Sequence, residues 1–414
     1  MKTMLMVLFM SAAAAVAAQE STCVACHTDM GGDYAAAVAQ WKGSIHGAAG
    51  ISCDACHGGD PRASEQDAAM NPKKGFKGKP SRLDTPKFCG TCHADKAFIK
   101  KFNPNLPTDQ LDSYKTSLHG QAVARGDARP AVCTDCHGVH NILKKDNPLS
   151  SIYPTRVVDT CAKCHGDKAL MASYKIPGNE VEEYRHGVHA KALYDKNDLS
   201  APTCPVCHGA HGASPPGVAS VAFVCGTCHA LNQELFAKSP HAGPWSAMGF
   251  SQCAECHGKH LIAPATEEML NPRGKAVCLR CHDKGDKGYA AMTAFYAGIT
   301  GLSREAEAVD TRVKEADRMG MLMEDAHLLL QDAHTSYIQA RTAIHSFHAG
   351  AVDKVLGAGR ENTAKAGVMA DAAFTELRYR RKGLAVFTFF ALVFAVLLAL
   401  KIRQIAADRK SAAV

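Results

Sequence analysis

Hydrophobic and polar positions change their spacing several times along this chain, and each change predicts a different element. Gly383–Leu400, "GLAVFTFFALVFAVLLAL", holds eighteen residues without a charge. As a helix it spans roughly 27 Å, enough to cross the hydrocarbon core of a bilayer. Arg378, Arg380, Arg381 and Lys382 precede it, and Lys401 and Arg403 follow it. From Leu302 to Phe347 the apolar residues step by three and four, the period of an amphipathic helix. No proline follows Pro272, so two or three long helices are expected, broken near Gly320 and Gly350–Gly359. Between residues 19 and 282 no long period survives. Stretches such as "GGDPRASEQ" and "ASPPGVAS" predict loops and short helices, with very little β-sheet. At the start, Lys2, the apolar run Met4–Met10 and an alanine-rich end predict a signal peptide over residues 1–18.

Cysteine changes the picture most. The pattern C-x-x-C-H occurs at Cys23/Cys26/His27, Cys53/Cys56/His57, Cys89/Cys92/His93, Cys133/Cys136/His137 and Cys161/Cys164/His165. It recurs at Cys204/Cys207/His208, Cys225/Cys228/His229, Cys253/Cys256/His257 and Cys278/Cys281/His282. These nine copies use all 18 cysteines, leaving no thiol for a disulfide or a nucleophile. A zinc knuckle also uses C-x2-C, but it needs two half-sites and no histidine directly after the second cysteine. The pattern is the attachment signature of haem c. Two thiols add to one edge of the macrocycle, and the adjacent histidine falls beneath the iron as an axial ligand. Nine haems c are therefore expected. At that density side chains alone cannot build an ordinary core, so a mainly α, loop-rich chain wraps around stacked macrocycles.

Charge then loses its first meaning. A formal net charge of +7 suggests nucleic acid. Each haem adds two propionates, up to roughly −2 apiece, so the basic side chains are better read as their counter-ions.

Twelve histidines lie outside the motifs. Five sit between small residues: His46, His119, His189, His241 and His348. Four of these have an aromatic residue five places earlier: Trp41, Tyr114, Tyr184 and Phe236. For His348 that place is Ala343. The motifs at Cys53, Cys133, Cys204 and Cys253 all read "CHG", and three carry a further histidine three places on: His140, His211 and His260. A histidine so close behind an axial ligand is better placed to serve a neighbouring iron. These eight are the expected second axial ligands, with His186, His327, His334 and His345 competing for a ninth place. The grouping suggests one leading haem and four two-haem units that begin at the CHG motifs.

The expected organisation is a signal peptide (1–18), a nine-haem domain (19–288), a helical arm (289–382), a transmembrane helix (383–400) and a cytoplasmic tail (401–414). Positive charge on both sides of the apolar span leaves its orientation open. Haem c attachment, outside the inner membrane, puts the haem domain on the periplasmic side.

These motifs resemble multihaem c-type cytochromes of the doubled CxxCH kind, a group similar to pentahaem nitrite reductase, hydroxylamine oxidoreductase and the octahaem reductases. The resemblance implies long helices after the last haem, often at a subunit interface, and hence a possible homo-oligomer through the arm. In those enzymes one haem lacks a protein ligand and binds substrate, and the nitrite reductases commonly mark it with a lysine in the motif. This chain has no C-x-x-C-K. The expected function is an electron relay between an integral-membrane, quinol-oxidising partner and periplasmic cytochromes or a reductase. The alternative is reduction or oxidation of a small nitrogen or sulfur oxyanion at one open haem, with Cys53/Cys56/His57 as its expected site.

Overall fold

A computed structural model describes residues 21–411, and no strand occurs among them. The signal-peptide segment lies outside the described residues. The chain begins with helix α1 (Thr22–Met30) and helix α2 (Gly32–Lys42), folded back on each other through Gly31 and Gly32. Their φ angles of +72° and +54° are open to glycine at little cost.

Four of the five CHG motifs occupy single helical turns, Cys53–His57, Cys133–His137, Cys204–His208 and Ala254–His257, while the one at Cys161 ends the longer helix Pro154–His165. On a helix, cysteines three apart share a face, and the next residue falls beside them. Each turn ends on a glycine at positive φ: Gly58 at +69°, Gly138 at +80°, Gly209 at +82° and Gly258 at +82°. A Cβ on Gly58 would lie 1.9 Å from the carbonyl oxygen of Gly75. The glycine is therefore a requirement of the turn, which sends the following histidine away from its own motif.

Small neighbours of the second histidine set have an equally local cause. Ser44 and Ser117 cap the helices that carry His46 and His119. Each hydroxyl accepts from the N–H of Gly47 or Gly120 at 3.0 Å and donates to the carbonyl of Trp41 or Tyr114 at 2.7 Å. A Cβ on Gly47 or Gly120 would stand 2.2 or 2.0 Å from that same carbonyl oxygen. The aromatic rings act through their polar tips. Trp41 Nε1 donates to Ile51 O at 2.8 Å, Tyr114 Oη to Ala131 O at 2.8 Å, and Tyr184 Oη to Pro202 O at 2.9 Å. Each acceptor sits two residues before the first cysteine of a CHG motif. The aromatic is thus a clamp between a histidine-bearing helix and the next motif. Phe236 has no polar tip and packs instead on Trp245 and Phe347.

The polypeptide divides into two compact units: residues 1–224 with 259–263, and residues 225–258 with 264–414. The first contains six motifs, and its buried apolar cluster is small, built on Val157, Val158 and Val181. The second contains the last three motifs together with the helical arm, so the expected boundary near 288 falls inside it. Side-chain packing explains why. Leu270 and Ala276 belong to the same core as Phe295, Ile299, Leu302 and Leu356, and Tyr337 donates a hydrogen bond to Glu267.

The arm comprises α3 (Lys287–Arg318), α4 (Glu324–Ala343) and α5 (Ala349–Ser411), which pack antiparallel. One core joins Ile299, Ala340 and Val352, and a second joins Ala316, Met323, Ala326 and Ala370. The first break falls at Gly320, at φ +82°, as expected. The second lies at the turn Ile344–Ser346 and Phe347, not at Gly350–Gly359, which run inside α5. Gly359 is a close-packing residue: its Cβ would meet Leu302 Cδ2 at 2.7 Å and Ser336 Cβ at 3.0 Å. Helix α5 continues through Gly383–Leu400, and none of that apolar stretch is buried. It is the one helix among the described residues long and apolar enough to cross a membrane.

Candidate metal-ligand array

In seven motifs the histidine stands against a second imidazole. In the first unit the pairs are His57 with His140 at 6.3 Å between ring centres, His93 with His46 at 6.0 Å and His137 with His211 at 6.1 Å. His165 faces His119 at 6.1 Å, and His208 faces His260 at 5.9 Å. In the second unit His257 faces His345 at 6.1 Å and His282 faces His241 at 6.0 Å. With a metal–nitrogen bond of roughly 2 Å on each side plus each ring's half-width, two imidazoles on one ion stand about 6 Å apart. Burial lowers the proton affinity of His46, His93, His137, His140, His211, His241, His257 and His345 below the ordinary histidine value. They are held in the neutral form that has a lone pair to give.

The pairing follows a register. His46, His119 and His241 face the histidine of the second motif after them in sequence. His140, His211 and His260 face the histidine of the second motif before their own. Backbone bonds support both arms: Ile45 N–H donates to Ile142 O and Val188 N–H to Ile262 O, each at 2.8 Å. His189 is half-buried near the start of the helix Val188–Asp195 and is not without partners.

Two expectations about ligands are corrected. His348 is exposed at the start of α5, and His345 stands opposite His257 in its place. The turn Ile344–Ser346 presents His345 inward, and Phe347, at φ +54°, turns the chain before His348. Nor is the Cys53 motif open, because His57 faces His140. The other competitors do not face a motif imidazole: His186 is exposed, His327 lies 3.8 Å from Asp317, and the His334 ring stacks on Tyr337.

Not every motif is enclosed. Cys228 and Cys281 are exposed, and so is His229. Their motifs differ from the CHG turns in backbone. The seventh and ninth start on the 3-10 segments Val221–Thr227 and Val277–Arg280, which end before the second cysteine. In both, the second cysteine lies at the surface. His229 goes on to cap the helix Ala230–Ala237; it is an electrostatic neighbour of His257 and His345 and is not without partners. Cys207, by contrast, lies within the helical turn Cys204–His208, half-buried, with Tyr184 as an electrostatic neighbour.

Cysteines line up in sequence order within each unit. The thiols of Cys89 and Cys133, of Cys161 and Cys204, and of Cys225 and Cys253 lie within hydrogen-bonding reach. Cys23 and Cys53, Cys56 and Cys92, Cys136 and Cys164, and Cys256 and Cys278 are electrostatic neighbours. The tightest contacts join the third motif to the fourth, the fifth to the sixth and the seventh to the eighth. The clamps from Tyr114 and Tyr184 reach the segments just before the fourth and sixth motifs.

Among the described residues, no three His, Cys, Asp or Glu side chains converge on one point. Each imidazole pair supplies two opposed ligands and no more, so a planar group with four ring nitrogens is what completes the sphere, with the paired cysteines at its edge. Residues 45–150 match the cytochrome c3 family model, residues 246–287 the doubled CXXCH motif, and residues 5–58 the cytochrome c554 and c-prime model. The chain is a multihaem c-type cytochrome. It is 27% identical over 164 residues to multiheme cytochrome MtrA of Shewanella baltica, a match covering 36% of this chain. It spans about half (47%) the length of that relative. No solved structure matches.

In such a cytochrome the CxxCH motifs hold haem c, and three imidazoles of the array have an orienting partner on the other ring nitrogen. His57 Nδ1 bonds the carbonyl of Gly78 at 2.9 Å, and His345 Nδ1 that of Thr342 at 2.9 Å. His282 is different: its Nδ1 meets the carboxylate of Asp286 at 3.1 Å. A Cβ on Gly288 would lie 2.3 Å from that same nitrogen, so the first turn of α3 is shaped to seat the ring. The i, i+4 spacing of His282 and Asp286 was the available sequence signal for this pair; His345 had none.

Proposed function

We propose that this cytochrome carries nine haems c and relays electrons between a membrane partner that oxidises quinol and acceptors in the periplasm. The carrying observation is the array of opposed imidazoles, whose motifs neighbour one another in sequence order within each unit. Haem c supplies one-electron chemistry, and two histidine ligands favour a low potential. The chain holds the ligands still. Ser44, Ser117 and the tips of Trp41, Tyr114 and Tyr184 fix the histidine-bearing segments from outside the ligand plane, so little has to move when the charge changes.

The apolar, unburied span 383–400 supports a single-pass anchor, and attachment of haem c outside the inner membrane supports an orientation with the haem-bearing region outside and the tail from Lys401 inside. Multiheme cytochrome MtrA is named as a multihaem protein too, which fits a role among redox partners.

Three measurements test the reading. Haem determined against protein in detergent-purified material gives nine per chain, and a chain ending at Lys382 leaves the membrane fraction. Native membranes reduce the haems on addition of a quinol, whereas purified protein alone does not. A lower haem count, a full-length protein soluble without detergent, or direct reduction of the isolated protein each overturns its part of the proposal.

A further inference from the structure

The first motif departs from the pattern of the array. His27 sits on α1, and the ring beside it is Tyr34 of α2, 5.3 Å away between centres and tilted by 41°. Among the described residues no imidazole faces His27. A phenolate bound to the same iron would stand further from the histidine than a second imidazole does, beyond about 6 Å, because the oxygen lies outside the ring. At 5.3 Å, Tyr34 is packed on His27 itself. The hairpin through Gly31 and Gly32 makes this unavoidable, since it brings the first turn of α2 back over the end of α1.

The remaining ligand types fare no better. Met30 lies three residues beyond His27 on the same helix, so it rises on the histidine's own side of a bound macrocycle. Its side chain is exposed, as is Cys26, and Tyr34 is 52% exposed. The surroundings are open to solvent. Cys23 is nevertheless an electrostatic neighbour of Cys53, so the site stands at one end of the ordered array.

We propose that the haem on Cys23, Cys26 and His27 keeps one axial position free of protein ligands, and that a small lone-pair donor of two or three atoms binds there. Carbon monoxide suits the ferrous state and cyanide or nitrite the ferric state. The inference rests on the reading that the first motif carries a haem, and it moves the site of exogenous chemistry from the second motif to the first.

The test begins with the full-length, detergent-purified protein reduced with dithionite and titrated with carbon monoxide. One equivalent binds per chain, and the oxidised protein shows one high-spin ferric centre that cyanide converts to low spin. The variant C23A/C26A retains eight haems and binds no carbon monoxide. A nine-haem protein that binds none, or a variant that still binds it, overturns the inference and leaves the nine-haem relay standing. Peptide mass mapping that finds no haem on residues 23–27 fails both. Should the double variant not accumulate, binding stoichiometry and spin state of the wild-type protein decide the matter alone.

Discussion

His257 and His345 stand with ring centres 6.1 Å apart and planes 18° from parallel, which ties the motif helix Ala254–His257 to the turn that closes α4. His345 is held from behind by the carbonyl of Thr342 at 2.9 Å. His348, three residues on, is exposed. Replacing His345 with alanine therefore turns one haem high-spin in the oxidised protein, whereas His348→Ala leaves the spectrum unchanged. Electron paramagnetic resonance of the two variants separates them, and the reverse result sinks the assignment.

Asp286 places a negative charge on the far nitrogen of His282 at 3.1 Å. The backbone N–H of Tyr289 is the main reason its carboxyl lies below the usual aspartate range, so it is ionised at neutral pH. A carboxylate there favours the ferric state of a haem on His282, because it makes the imidazole a stronger donor. Asp286→Asn keeps a capping side chain for α3 and raises the potential of that one haem. A redox titration in which no component moves upward counts against it.

The tyrosine clamps are worth one neutral hydrogen bond each. Tyr114→Phe and Tyr184→Phe should each cost about 1 kcal/mol. Phe236 shows that an aromatic without a polar tip is tolerated when other rings pack around it. Thermal denaturation followed at the haem absorbance checks the size. A loss several times larger would mean that the clamp also sets ligand geometry.

Acid weakens the array with a predictable sign. His137, His140 and the other buried imidazoles have folded-state proton affinities below the ordinary value of 6.5. The unfolded chain thus binds protons first as pH falls, and stability is lost from about 6.5 downward. Bound iron strengthens the effect by competing for the same lone pair. Low-spin absorbance followed from pH 8 to pH 4 should fall on the acid side only.

Gly138 shows why a motif can be read more easily than a ligand pair. Its φ of +80° is local, as is the 2.3 Å between Asn141 Oδ1 and the place a Cβ would occupy, although the same string at Cys164, His165 and Gly166 closes a longer helix with Gly166 at φ −93°. Gly138→Ala should cost on the order of 1–3 kcal/mol of strain, seen as a lowered melting temperature. The pairing of His140 with His57, by contrast, depends on how successive turns stack, and no spacing within a motif encodes it. The exposure of Cys228 and Cys281 is equally silent in the string, because C-x-x-C-H reads the same on a 3-10 segment as on an α-turn. His345 was legible only as one of four competitors, for a related reason. The small-residue frame around His348 repeats a pattern whose physical basis, a capping serine and an aromatic clamp, is incomplete there, since Ala343 stands where the ring should be. Gly320 breaks the arm at φ +82°, while Gly359 looked the same in sequence and serves the opposite purpose, admitting Leu302 to the helix surface.

Helix α5 runs from Ala349 to Ser411 without interruption. At 1.5 Å per residue, the part before the apolar span is a strut of roughly 50 Å. A flexible tether would let the redox centres wander over a hemisphere and meet partners at random. With the proposed anchor, a rigid stalk would instead fix the distance from the lipid at which its near end, by Ala349, stands, and the proposed membrane partner would have to reach that level or bring its own cofactor up to it.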